Sequence, residues 1–186
     1  MFYIPIGPPG AGKSTLARRM FHNDSDAIVC PDEYRRILCG DQTSQKYNKQ
    51  VFEVIDIIKD IRLKNGLDVY LDATNLNIDN LVSNFNIARG YGQDVTVFIS
   101  DLSSEQIYER NSSEHRIKTG TIVPDYVMKR MITNYQRTAK LIDALVLKYP
   151  WVTLSKMETA NNLLDAKNSN EAWVKEMLEL TNKGDM

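Results

Sequence analysis

The chain has 186 residues, 42% of them hydrophobic, with 23 Lys and Arg against 24 Asp and Glu and a formal net charge of −1. That length supports one core and a single domain over 1–186, and the charge balance excludes coating of long nucleic-acid tracts by bulk electrostatics. No run approaches the roughly eighteen apolar residues of a membrane span, so no membrane association is expected. Cys30 and Cys39 lack metal-ligand spacing, and no secretory leader precedes the first motif, so a reduced, cytoplasmic protein is expected.

In chain order, Met1 to Ile6 predicts a first strand, with Pro5 late enough in it to be tolerated. Gly7-Pro8-Pro9-Gly10-Ala11-Gly12-Lys13-Ser14 follows, fits G-x-x-x-x-G-K-[ST], and leads into a helix from about Thr15 to Phe21. Strand, glycine loop and helix in that order form a phosphate cradle. Glycines let successive backbone N–H groups turn inward on a triphosphate, Lys13 adds a point charge, and the Ser14 hydroxyl can ligate Mg²⁺. Gly7, Gly10, Ala11, Gly12, Lys13, Ser14 and Thr15 are therefore the candidate residues for ATP, the helix directing its positive end at the same anion.

Ala27 to Cys30 predicts a second short strand, and Asp32 to Leu38 a helix beginning just after Pro31. Tyr47 to Lys64 predicts a longer helix, with Val54, Ile57, Ile58 and Ile61 as its apolar stripe and Asn65-Gly66 as its stop. Leu67 to Leu71 is a third strand, followed by the turn Thr74-Asn75-Leu76-Asn77 and a helix carrying Ile78, Leu81, Val82 and Phe85. Asp94 to Ser100 is a fourth strand and Ser103 to about Asn111 a short helix. Ser112 to Val123 reads as polar and irregular. Pro124 opens the longest helix, which Pro150 ends. Trp151 to Leu154 is a candidate edge strand and Ser169 to Leu180 a final helix.

Strands alternating with long helices predict an α/β P-loop NTPase fold: a parallel sheet with helices on both faces, a lid near 110–124 and carboxyl-terminal helices near 124–183. Ligands in such sheets bind beyond the carboxyl ends of the strands. That rule groups the P-loop, Asp32 to Arg35 and Asp72 to Asn75 into one candidate site.

Phosphoryl transfer needs positioning, charge neutralisation and a group to take the nucleophile's proton. Asp32 is a candidate base, or else a cap of the helix after Pro31. Arg35 offers a planar fork for an acceptor, the alternative being an ion pair with Glu33 or Asp41. Asp72 ends the third strand, where a carboxylate can assist Ser14 in holding Mg²⁺; Ala73 after it does not fit an ATPase with a water-activating Glu at that place. Thr74 and Asn75 are turn formers that can also touch the acceptor. Arg110 and Arg116 belong to the polar segment Arg110 to Gly120, which reads as a lid whose arginines can stabilise charge on the transferring group, the alternative being a solvated loop.

This ordered set resembles the P-loop kinases related to the bacteriophage polynucleotide 5′-hydroxyl kinases. The likeness rests on Gly7 to Ser14, Asp32-Glu33-Tyr34-Arg35, Thr74-Asn75-Leu76-Asn77, and Arg110-Asn111-Ser112 with Val123-Pro124, across roughly residues 1 to 135. It implies Asp32 as general base for a 5′-hydroxyl, Arg35 on the acceptor, Lys13 and Ser14 on ATP and Mg²⁺, and Arg110 and Arg116 as lid arginines. The lid is longer here than in the phage enzyme, and no Asp-x-Asp phosphatase motif follows, so 3′-end trimming is not expected. A DNA or RNA 5′ end is the expected partner. A nucleoside, a nucleotide or a hydroxymethylated base is the alternative acceptor, and a nucleotide-dependent switch without an acceptor is the reading from another class. Oligomeric state and the choice between ATP and GTP have no sequence signature.

Overall fold

A computed structural model describes residues 1–168 of the chain, so the helix expected over 169–180 lies outside the described residues. The strands are β1 (Phe2–Ile6), β2 (Ile28–Val29), β3 (Val69–Leu71), β4 (Val95–Ile99) and β5 (Val152–Lys156). The helices are α1 (Lys13–Met20), α2 (Pro31–Cys39), α3 (Asn48–Lys64), α4 (Ile78–Gly90), α5 (Ser104–Asn111), α6 (Glu114–Lys118) and α7 (Asp125–Val146). All strand pairs are parallel, in the order β2-β3-β1-β4-β5.

Side-chain alternation along the strands divides the core between the two faces of this sheet. Phe2, Ile4, Ile6, Val69, Leu71, Val95 and Val97 pack beneath α3, α4 and α7. Tyr70 and Phe98 point the other way, against Leu16, Ala17 and Phe21 of the α1 region and Met157. β1 is central, and its loop therefore emerges at the middle of the carboxyl-terminal rim. Pro5 is tolerated because β3 pairs only with Phe2 and Tyr3. On the side β3 has vacated, Asn75 Nδ2 donates to the Pro5 carbonyl at 2.8 Å, so the missing N–H has no strand partner to lose.

Two expectations need correction. On α3 the buried residues are Val51, Ile55, Lys59 and Leu63, whereas Ile57 and Ile61 of the expected stripe are 59% and 55% exposed. The helix is apolar on several sides, so periodicity alone does not fix which side faces the sheet. Lys59 tolerates its core position because its ammonium bonds Asp56 at 2.7 Å and Asn84 at 2.8 Å. The segment expected to be irregular contains α6, whose Glu114 and Lys118 form an i,i+4 pair at 2.7 Å with the lysine at the favoured carboxyl-terminal end. Among smaller differences, α2 includes Pro31 as its first residue, and α7 ends at Val146, before Pro150.

Candidate active site

The P-loop is held from several directions before any ligand arrives. Gly7 N–H donates to the Thr74 carbonyl at 3.1 Å, tying the loop to the turn after β3. A side chain at Gly7 would stand 2.6 Å from Ala11 Cβ, and Gly10, at φ 87, approaches α5 so closely that a Cβ there would meet Ile107 O at 3.1 Å. The backbone thus needs glycine at both places. Ala11 N–H donates to Pro8 O at 3.1 Å, Ser100 Oγ to Ala11 O at 3.3 Å, and the Tyr70 hydroxyl to Lys13 O at 2.8 Å. Leu16 N–H donates to Gly12 O at 3.0 Å, so α1 begins on the loop itself and directs its N-terminus into the cradle.

Lys13 is buried, its Nζ donating to Pro8 O at 2.9 Å. Burial lowers its pKa to about 8, with Asp72 opposing that shift and the Arg116 guanidinium contributing to it. Asp72, also buried, shares a hydrogen bond with the Ser14 hydroxyl; burial raises its pKa, while Ser14 and Lys13 act the other way. Two hard oxygen donors side by side at the foot of the phosphate cradle suit Mg²⁺, which keeps several waters and takes few protein ligands. Among the described residues no cluster of three or more His, Cys, Asp or Glu offers an all-protein metal site.

Asp32 stands across from this group and acts electrostatically on Lys13, Asp72 and Arg116. It does not cap α2: Cys30 is the N-cap and Asp32 the second helical residue, with its side chain 69% exposed. Arg35 pairs with Asp32 rather than with Glu33 or Asp41, donating from Nη1 to Oδ1 at 2.6 Å. Its Nη2 donates to Asn48 Oδ1 at 2.6 Å, and the guanidinium lies 6.0 Å from the Phe52 ring centre. Arg35 Nε is buried without a partner. Arg36 turns to solvent, where Glu33 binds it.

The segment expected to form a lid reaches the same space. Arg110 Nη1 lies 3.9 Å from where a Cβ on Gly12 would stand. Arg116, half-buried, donates to Thr121 O and leaves its Nε buried without a partner; burial lowers its pKa. Asn111 fastens the two ends of the lid together, donating to Val123 O at 2.9 Å and accepting from Val123 N–H at 3.1 Å. Thr15 is exposed on the first turn of α1.

Asn75 is held by the backbone around its own turn. Its Nδ2 is committed to the carbonyls of Pro5, Leu71 and Ala73 at 2.8, 3.0 and 3.1 Å, and its φ of 50 makes it a turn residue. Thr74 contributes its carbonyl to the P-loop, as above. Sequence reasoning missed the supports. Asn48 and Tyr70 carry no motif, although a tyrosine between Val69 and Leu71 in a buried strand signals a hydroxyl in need of a partner. Cys30 lies against the site as well, its thiol pushed up to about 11 by burial and by Asp72.

Residues 3–138 match the family model described as an AAA domain. The chain belongs to that family. Within that family it is a P-loop kinase domain, which implies a nucleotide ligand. Its structure is similar to a chain of the Pnkp1/Rnl/Hen1 RNA repair complex, with 26% identity and a TM-score of 0.65 over 75% of this chain and 45% of that one. A second structure of the Pnkp1/Rnl/Hen1 complex gives 28% identity and a TM-score of 0.52, over 61% and 39%. A Chloroflexus aurantiacus protein shares the fold at 16% identity, with a TM-score of 0.53 over 66% and 69%. The chain spans less than half the length of the repair-complex chains it matches. No curated protein sequence matches it. Among the described residues no helix is long and apolar enough to cross a membrane.

Proposed function

We propose that the protein is an ATP-dependent kinase that transfers the γ-phosphate to the 5′-hydroxyl end of a nucleic acid. The observation that carries the reading is the Asp32–Arg35 pair standing across from the P-loop: an open carboxylate, oriented by a buried arginine with one donor unspent. Arg35 occupies Asp32 Oδ1, which leaves Oδ2 free to accept the proton of an attacking alcohol. As the alcohol oxygen bonds to the γ-phosphorus and ADP departs, that proton passes to Asp32. A buried donor without a partner costs free energy, and anions at Arg35 Nε and Arg116 Nε would recover it. Arg116 and Arg110 then lie where charge develops on the transferring group.

Ser14 and Asp72 would hold Mg²⁺, which neutralises the charge of the polyphosphate when bound. Lys13 and the inward N–H groups position the donor. The nucleic-acid acceptor is favoured by the likeness to a chain of an RNA repair complex. A near-neutral chain fits an enzyme that grips a few terminal nucleotides rather than a long tract.

The test is transfer from labelled ATP to 5′-hydroxyl RNA, 5′-hydroxyl DNA, mononucleotides and hydroxymethyl-modified DNA. Label on the 5′ ends of oligonucleotides is expected. Label on mononucleotides alone would move the reading to a small-molecule kinase, and ATP hydrolysis without transfer to any alcohol would end it.

A further inference from the structure

Beside Arg35 the surface opens into two grooves that share Phe52, Ala73, Asn75 and Asn80. Phe52, 40% exposed, lies under the Arg35 guanidinium, so both grooves start at the acceptor side of the site. They differ in charge. One, of about 660 Å³ between α3 and α4, presents Asp56, Lys59 and Asp60; because Lys59 is already paired with Asp56, its balance is negative. The other, of about 710 Å³ between the turn after β3 and α7, presents Arg130 and Arg137 against the single carboxylate of Asp79. Among the described residues neither arginine has an ion-pair or hydrogen-bond partner, although acidic neighbours hold other surface cations such as Lys129.

We propose that this second groove is the path of the acceptor strand, with Arg130 and Arg137 holding backbone phosphates a few nucleotides behind the reacting end. The proposal rests on the acceptor reading above and adds the route and the residues. Arg130 and Arg137 are seven positions apart on α7, two turns on one flank, about 10 Å along the axis. That spans about three nucleotides of a strand stacked at the helical rise of about 3.4 Å, and fewer of an extended one. Guanidinium forks suit phosphate oxygens, and such contacts position a strand without reading its sequence. A polyanion leaving Arg35 is drawn to this branch and repelled by the one bearing Asp60.

The test is equilibrium binding of a fluorescent 5′-hydroxyl ten-nucleotide strand across a salt series, for the parent and for the double variant Arg130→Gln/Arg137→Gln. Lys140→Gln/Lys148→Gln, which removes the same charge outside the groove, is the control. The groove variant should bind about tenfold more weakly at low salt, and its slope of log affinity against log salt should be shallower by about 1.4, the value for two lost phosphate contacts to a single strand. ATP affinity and thermal unfolding should match the parent, and the control should bind nearly as the parent does. Unchanged affinity and slope, or equal weakening by both double variants, would overturn the path. Binding through the groove with no phosphate transfer would instead overturn the kinase reading and leave the path standing. A parent that bound no strand would end both.

Discussion

The Asn111 carboxamide closes both of its hydrogen bonds on the backbone of Val123, at 2.9 and 3.1 Å, so the two ends of the lid are joined by one side chain. Arg110 lies one position before this clamp, on α5, and Arg116 within the loop that it closes. Asn111→Ala would leave a partly buried N–H and C=O of Val123 without partners, costing about 2 kcal/mol. The melting temperature should fall by about 5 °C. Lid closure should suffer more than folding, with turnover reduced about tenfold in steady-state transfer assays. Turnover that matched the parent would mean that the lid needs no clamp.

Lys13 makes nucleotide binding depend on pH. In the nucleotide-free protein burial holds its pKa near 8. A bound triphosphate favours the ammonium and raises that value, so the bound state holds more protons than the free state at and above pH 8. Affinity for ATP is then fully present below about pH 8 and weakens as pH rises through it. Calorimetry in buffers of different ionisation enthalpy should show uptake of about half a proton at pH 8, approaching one near pH 9. Lys13→Ala should abolish the uptake.

Asp72 is a carboxylate that burial disfavours and whose raised pKa marks a net cost of the charged form. With a folded pKa above the unfolded one, its charged form destabilises the fold at neutral pH. Asp72→Asn keeps a group able to bond Ser14 and removes the charge. Thermal unfolding should therefore occur at a higher temperature, while transfer falls by roughly 10²-fold and needs more Mg²⁺. A less stable variant would mean that Lys13 offsets more than the burial.

Arg35→Lys tests whether a fork is required. One guanidinium reaches Asp32 and Asn48 at 2.6 Å each, and a single ammonium cannot hold that spread. Transfer should fall roughly 10²-fold through misplacement of Asp32 and the acceptor, with ATP binding unchanged. Asn48→Ala should show a smaller loss of the same kind in kcat.

How much of this was legible in the sequence follows from how local each signal is. The P-loop occupies eight contiguous residues, and the alternation of β1 with the helix after it was enough to orient the loop. Asp32 and Arg35 were placed by the rule that sites lie beyond carboxyl strand ends, but whether Asp32 caps α2 depended on one backbone torsion at Cys30. α3 was recognisable as a helix and not as a phased one, since Phe52, Ile57 and Ile61 are as apolar as the residues that face the sheet. α6 has five residues, too few for any periodicity. Arg35's support by Asn48 and the clamp of Val123 by Asn111 are contacts across 13 and 12 positions, which no local pattern announces.

The central claim is that Asp32 takes the proton of a 5′-hydroxyl. Single-turnover transfer from labelled ATP to a 5′-hydroxyl oligonucleotide, for the parent and Asp32→Ala at equal occupancy of ATP, tests it most directly. The variant should bind ATP as the parent does and transfer phosphate 10²- to 10⁴-fold more slowly, the usual worth of a positioned base, a loss of about 100-fold or more. Transfer by Asp32→Ala at close to the parental rate would contradict the account.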